Sequence, residues 1–311
     1  RSDYMNLLFH MEKYTEALAQ LDGLPDADSN YALQQFKASI YNKQGRKGEA
    51  IKTFNQALAV AGNDTEKLTV LQSLAYLSQE NGSLEQASQY IAQARAIAPR
   101  NTLLLQKQAA IASMASNKVE AVQLGKELVT IDPSAENRTI LANSLFAAGQ
   151  FAQAADEYAQ LTDSGSPMLL KAGLSFAAAS DNARAVQYLE KYLNSSDQPE
   201  MADALLALGN VYTAMGDGVQ AARTYGQYLG TATEPRQKAA ALMALGNAYA
   251  TACDARKAYE TYDAAQSLSD EFSTADKSRL YMALGLSALA AESPELALKP
   301  LQTALSLQEN Q

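Results

Sequence analysis

His10 and Cys253 are the only histidine and the only cysteine of the chain, and they bound its chemistry. A catalytic serine needs a base beside it, and His10, in Phe9-His10-Met11, is the only imidazole on offer; it reads as a surface or interface group. One histidine excludes HExxH metalloprotease chemistry and multi-histidine metal sites, and one cysteine excludes an intramolecular disulfide and cysteine-rich zinc sites. Cys253 stands in Ala252-Cys253-Asp254, with Arg256 and Lys257 close in sequence. A reactive thiol needs cations to lower its pKa, but Asp254 offsets these two, so the thiol reads as a small turn residue. Gly216-Asp217-Gly218-Val219-Gln220-Ala221 has the GxGxxA spacing of a dinucleotide turn. It follows a helical pattern rather than a strand, so a phosphate cradle is not expected there. No GxxxxGK[ST] loop is present. The acid pairs Asp156-Glu157 and Asp270-Glu271 fall on helix surfaces or loops with no cavity to raise a pKa. Asn-x-Ser/Thr occurs at Asn63, Asn81, Asn137 and Asn194, as expected by chance in a chain rich in these residues. The expectation is therefore no catalytic residue, no metal and no cofactor.

What remains must be carried by a folded scaffold. The 311 residues are 47% apolar and 19% charged, which excludes wholesale disorder. Net charge is −9 and uneven: residues 1–150 hold 14 basic and 15 acidic side chains, residues 151–311 hold 11 and 19. Neither half supplies the basic footprint that nucleic acid or an anionic membrane requires. The acidic half suits a basic partner. No apolar run approaches the 18 residues of a membrane span, and no basic, apolar leader is visible at the start.

A repeat organises the whole chain. A turn with a small or polar residue is followed by Ala five positions on, and by a bulky apolar residue four further. Aligned on that Ala, the units fall at Ala17, Ala50, Ala87, Ala121, Ala154, Ala185, Ala221, Ala258 and Ala297, spaced by 31 to 39 residues. Apolar residues at spacings of three and four flank each turn, so each unit reads as two helices. The small residues let the paired backbones approach. Phe54, Ile91, Tyr158, Leu189, Tyr225, Tyr262 and Leu301 then wedge between neighbouring pairs. Pro99, Pro133, Pro167, Pro199 and Pro235 fall between units, where one helix ends before the next begins. No alternating β-branched segment competes, so essentially no sheet is expected.

The pattern resembles that of the tetratricopeptide repeat (TPR) family, W-x2-L-G-x2-Y followed by A, F/Y, A and P over about 34 residues. The best matches are Leu205-x2-Leu208-Gly209-x2-Tyr212 and Leu242-x2-Leu245-Gly246-x2-Tyr249, then Tyr281-x2-Leu284-Gly285 with Ala288 in the Tyr place. It departs from the family in having no Trp, in Ser116, Ser180 and Cys253 at turns, and in Gly125 at a wedge position. The resemblance implies an all-α, right-handed α-α superhelix of about nine helix-turn-helix repeats. As one solenoid over residues 1–311, these are approximately 1–28, 31–64, 67–101, 102–134, 135–167, 168–199, 201–235, 236–273 and 275–311. Arg1 would then fall inside a first helix, and the second helix of the last repeat would end at Leu307, so the chain reads as a fragment of a longer protein.

In this family the first helices line a concave groove for a peptide or partner helix, and the residue after the family Gly often points into it. The matching residues are Asn143, Asn210 and Asn247, with Tyr76 in the third repeat and Ser39 in the second. An Asn amide both donates and accepts, so it can pair with any extended backbone; the alternative is that these residues bond to neighbouring helices. The position four before is Thr139, Leu206 or Met243, never Lys, against the family's carboxylate clamp. Leu206, Met243 and Met282 are either a hydrophobic groove floor or buried against the next layer. The expected function is a non-enzymatic scaffold for a protein or peptide partner. The Ala- and Gln-rich composition is similar to that of periplasmic TPR regions in bacterial cell-envelope, exopolysaccharide-export assemblies. The alternatives are a cytosolic peptide-binding adaptor and a polysaccharide binder stacking sugars on Tyr225, Tyr228, Tyr259 or Tyr262.

Overall fold

Nine residues, one at the turn inside each helical hairpin, have a left-handed backbone. Gly45, Gly82, Gly149 and Gly216 have φ of 73° to 77°, and Glu12, Ser116, Ser180, Cys253 and Glu292 have φ of 57° to 61°. The residue after each ends one helix and begins the next. Arg46 N–H donates to Tyr41 O at 2.9 Å, Asn117 N–H to Ala112 O at 2.8 Å and Asp254 N–H to Tyr249 O at 2.9 Å, satisfying carbonyls the helix leaves open. The side chains of Asn117, Asp181, Asp217 and Asp254 then accept from the N–H three residues on, capping the helix that follows.

The computed structural model describes residues 2–309, and these form eighteen α-helices, two short 3-10 turns and no strand. They fall into two compact units, Arg1–Ala148 and Gly149–Gln311. The first holds α1 (Ser2–His10), α2 (Tyr14–Asp22), α3 (Tyr31–Lys43), α4 (Lys47–Val60), α5 (Asp64–Glu80), α6 (Leu84–Ile97), α7 (Thr102–Met114), α8 (Lys118–Ile131) and α9 (Ala135–Ala147). The second holds α10 (Phe151–Ala159), α11 (Ser166–Ala178), α12 (Asn182–Leu193), α13 (Met201–Ala214), α14 (Gly218–Thr231), α15 (Pro235–Thr251), α16 (Ala255–Gln266), α17 (Thr274–Ala290) and α18 (Pro294–Glu309). Arg1, on which the fragment reading of the N-terminus rests, lies outside the described residues, and the last helix runs two residues past Leu307. None of the helices described is long and apolar enough to cross a membrane.

The repeat's alanines are all buried: Ala17, Ala50, Ala87, Ala121, Ala154, Ala185, Ala221, Ala258 and Ala297. The wedge residues Phe54, Ile91, Tyr158, Leu189, Tyr225 and Tyr262 are buried with them, while Leu301 is half-buried. In the second unit the wedges press on glycines. A Cβ on Gly209 would lie 2.5 Å from Tyr225 Cε1, on Gly246 2.5 Å from Tyr262 Cε1, and on Gly285 2.5 Å from Leu301 Cγ. Gly125, which has no wedge of its own, is filled from the neighbouring helix: a Cβ there would lie 2.9 Å from Leu141 Cα. The stacked hairpins thus bury a continuous apolar layer within each unit, with each pair covering the flank of the next.

Candidate interaction groove

In the first unit, the expected groove positions converge. Ser39 on α3 and Tyr76 on α5 line a 340 Å³ hollow with Asn42, Gln72, Ser73 and Lys107. A smaller, 120 Å³ hollow continues from Tyr76 to Gln79 and Ala110. Tyr76 is 58% exposed. Lys107 Nζ donates to Gln72 Oε1 at 2.9 Å, which fixes the far wall. Asn143 is exposed on α9 and lines neither hollow.

In the second unit, Asn210 on α13 and Asn247 on α15 are exposed at equivalent places. Each is oriented by the wedge tyrosine of its own hairpin. The Tyr225 hydroxyl donates to Asn210 Oδ1 at 2.7 Å, and the Tyr262 hydroxyl donates to Asn247 Oδ1 at 2.6 Å. Thr213 Oγ1, which donates to Gly209 O, lies 3.3 Å from the Tyr225 hydroxyl. Burial raises the pKa of both phenols, Tyr262 to about 12, so they remain donors at physiological pH. With each Oδ1 occupied, the amide Nδ2 is the group left to face solvent. Among the described residues neither Nδ2 makes a hydrogen bond. The asparagines are thus donors toward a ligand, rather than the donor-acceptor pairs that their chemistry alone suggests.

Leu206 and Met243 are half-buried, as is Met282. Met243 packs on the core cluster of Ala258, Tyr262, Ala265, Leu280 and Leu284. One repeat farther along the array, on α17, Leu286 replaces the asparagine and is 54% exposed. It opens a 480 Å³ apolar hollow with Ala250, Cys253, Tyr262, Ala283 and Ala290. Sequence reasoning missed this hollow, although the Gly285-Leu286 pair marks its place. It also missed the tyrosine hydroxyls as orienting donors; their signal is a spacing of 15 residues from Asn to Tyr, seen at Asn210/Tyr225 and Asn247/Tyr262.

Residues 141–199 match one tetratricopeptide-repeat family model, and residues 204–239 match a second. These two segments resemble tetratricopeptide repeats, and together they span less than a third of the chain. The chain is also similar in fold to solved structures. Against a chain of the Naa15/Naa10 complex bound to HypK-THB it has 18% identity and a TM-score of 0.62, with 99% of this chain and 50% of that one covered. A tetratricopeptide repeat protein from Parabacteroides merdae gives 13% identity and a TM-score of 0.50, covering 83% and 98%. The C-terminal part of a TPR repeat-containing protein from Cytophaga hutchinsonii gives 18% and 0.54, covering 74% and 95%. The chain spans half the length of the first of these, and at such identities the likeness shows the fold alone: an all-α solenoid of the tetratricopeptide type. No curated protein matches the chain.

The remaining reactive groups stay apart. His10 is exposed at the end of α1, and its nearest ring contact is Phe9. Cys253 is exposed at its turn. Asn137 is buried, donating to Asp132 and accepting from Gln106, and Asn63 caps α5. Tyr225 and Tyr262, considered as sugar platforms, are instead buried in the core, and Tyr228 and Tyr259 are half-buried. Their spacing of three on second helices aims one of each pair inward.

Proposed function

We propose that the chain is a non-enzymatic interaction scaffold that receives an extended peptide segment of a partner protein along the first helices of its second unit. The observation that carries this reading is the pair Asn210 and Asn247, each turned by a buried tyrosine so that its amide N–H groups face outward in adjacent repeats. Backbone carbonyls of an extended peptide are the acceptors that such a row fits, irrespective of side chains. The apolar hollow at Leu286 and Ala290 is continuous with the row's repeats and would take a bulky aliphatic or aromatic side chain. The charge of −8 over residues 151–311 favours a basic peptide and speeds its encounter at low salt.

The test is selection of unstructured 12-residue peptides against the chain, followed by titration of the winners. Two hydrogen bonds of about 1 kcal/mol each correspond to a loss of about 30-fold for Asn210→Ala with Asn247→Ala. Winners that bind this double variant as tightly as the parent would remove the groove. Within this proposal, the Ala- and Gln-rich composition with a single cysteine supports a setting in the bacterial cell envelope, where exopolysaccharide-export complexes assemble. Fractionation of cells expressing the complete gene product checks that compartment, and recovery in the cytosol would replace it with the adaptor reading.

A further inference from the structure

One joint recurs between consecutive hairpins: the second helix of one meets the first helix of the next. Positions in it can be counted from the left-handed turn residue of each hairpin. The second helix supplies the residues six, nine and thirteen places after its turn, and the first helix those eight and five places before its own. Between α4 and α5 these are Ile51, Phe54 and Leu58 against Leu74 and Leu77, packed in one apolar cluster. Between α16 and α17, Tyr259 and Tyr262 share a cluster with Leu284 in the same register.

Burial follows the joint wherever a hairpin has a neighbour. The residue six places after the turn is buried or half-buried in each of the first eight hairpins, from Leu18 to Tyr259. The residue five places before the turn is buried in each of the last eight, from Ile40 to Ser287. The residue eight places before is buried in seven of these and half-buried in the other, at Lys37. At the two ends the same positions hold bulky apolar residues that nothing covers. On α18, Leu298 and Leu305, six and thirteen places after Glu292, are 63% and 55% exposed, with Leu301 half-buried between them. On α1, Tyr4 and Leu7, eight and five places before Glu12, are 51% and 54% exposed. A repeat array that ends in water needs a polar outer face on its terminal hairpins. Here both ends are apolar at the joint positions themselves.

We propose that α1 of a second copy of the chain docks on α18, so that two copies make between them the joint that each makes between its own hairpins. Tyr4 and Leu7 then lie on Leu298, Leu301 and Leu305 as Leu74 and Leu77 lie on Ile51, Phe54 and Leu58. Leu298, Leu301 and Leu305 follow each other at spacings of three and four, which is one stripe of a helix. The interior joints show what such a stripe receives: a first helix with apolar or small residues eight and five places before its turn. Among the described residues, α1 is the first helix whose residues at both places are left exposed. The interface is therefore a continuation of one already built, and a second copy brings the matching half. The two faces differ, so each added copy leaves one of each free, and growth does not stop at a pair.

The test is sedimentation of the full chain over a concentration series. The mean sedimentation coefficient should rise with concentration and pass that of a dimer. Leu298→Glu with Leu305→Glu blocks one face, and Tyr4→Glu with Leu7→Glu blocks the other. All four residues are exposed, so both double variants should keep the helicity and melting midpoint of the parent. Each alone should sediment as a monomer at every concentration. An equimolar mixture of the two should form dimers and nothing larger, because each variant keeps the face that the other has lost. A parent that stays monomeric, as this chain or as the complete gene product, would overturn the proposal, since the end faces would then be filled by the same polypeptide or by another protein. A parent that stops at a dimer, or a mixture that stays monomeric, would overturn it as well.

Discussion

The Tyr225 hydroxyl donates to Asn210 Oδ1 across 2.7 Å, so a buried ring on one helix sets the direction of an exposed amide on its partner. The same relation holds at Tyr262 and Asn247, at 2.6 Å. Tyr225→Phe and Tyr262→Phe keep the ring against its glycine and remove only the donor. Each should cost about 0.5–1.5 kcal/mol of stability, read from denaturant melts. Peptides selected on the groove should also bind the double variant several-fold more weakly, although neither ring touches them, because the freed amides can rotate. Unchanged titration curves would show that the asparagines need no orientation.

High pH should unfold the chain through its phenols. Burial lifts Tyr158 and Tyr262 to about 12, and burial together with Glu190 lifts Tyr212 to about 12. In the unfolded chain a tyrosine ionises near pH 10. The folded state keeps protons that the unfolded state releases, so stability is flat below about pH 10 and falls between there and about pH 12. Thermal midpoints recorded across this range, with the absorbance of tyrosinate followed in parallel, check the window. A Tyr212→Phe/Tyr262→Phe variant should show a shallower fall.

Glycine-to-alanine substitutions should have opposite signs within one hairpin. At Gly209 the new methyl would lie 2.5 Å from Tyr225 Cε1, and that ring is buried and cannot swing away. A loss of about 1–3 kcal/mol is expected from overpacking. At Gly226, on the exposed face of α14, a Cβ meets nothing within 4 Å. There alanine should add up to about 1 kcal/mol through helix propensity. Chemical denaturation of the two variants side by side decides this; two losses would mean that Gly226 is needed for its own contact.

The repeat was legible because close approach of two helices constrains one position at a time. Ala221 and its eight counterparts announce it, each buried and each five residues after a left-handed turn residue. Gly125 looked degenerate because its compensation comes from Leu141, on the following helix. Periodicity sees a missing wedge but not the neighbour that moves in. The groove residues were legible as exposed positions, but not in their bonding. Asn210 and Tyr225 were each visible in a separate role, and only the packed hairpin brings hydroxyl to amide.

The turns offer a last prediction. Ser116, Ser180 and Cys253 hold φ of 57° to 61°, the region that Gly45 and Gly216 occupy without strain. A Cβ there costs about 1–2 kcal/mol, partly offset in the serine and cysteine chains by a less flexible unfolded state. Ser116→Gly, Ser180→Gly and Cys253→Gly should therefore each stabilise by about 0.5–1 kcal/mol, and Gly216→Ala should destabilise by a similar amount. The hydrogen bond that closes each turn, such as Asp254 N–H to Tyr249 O at 2.9 Å, is made by backbone alone, so none of these changes removes it. Thermal melts with the peptide-binding assay run in parallel measure both consequences. Stability should move while affinity does not, because the turns set how well each hairpin closes and the groove amides lie on the helices between them.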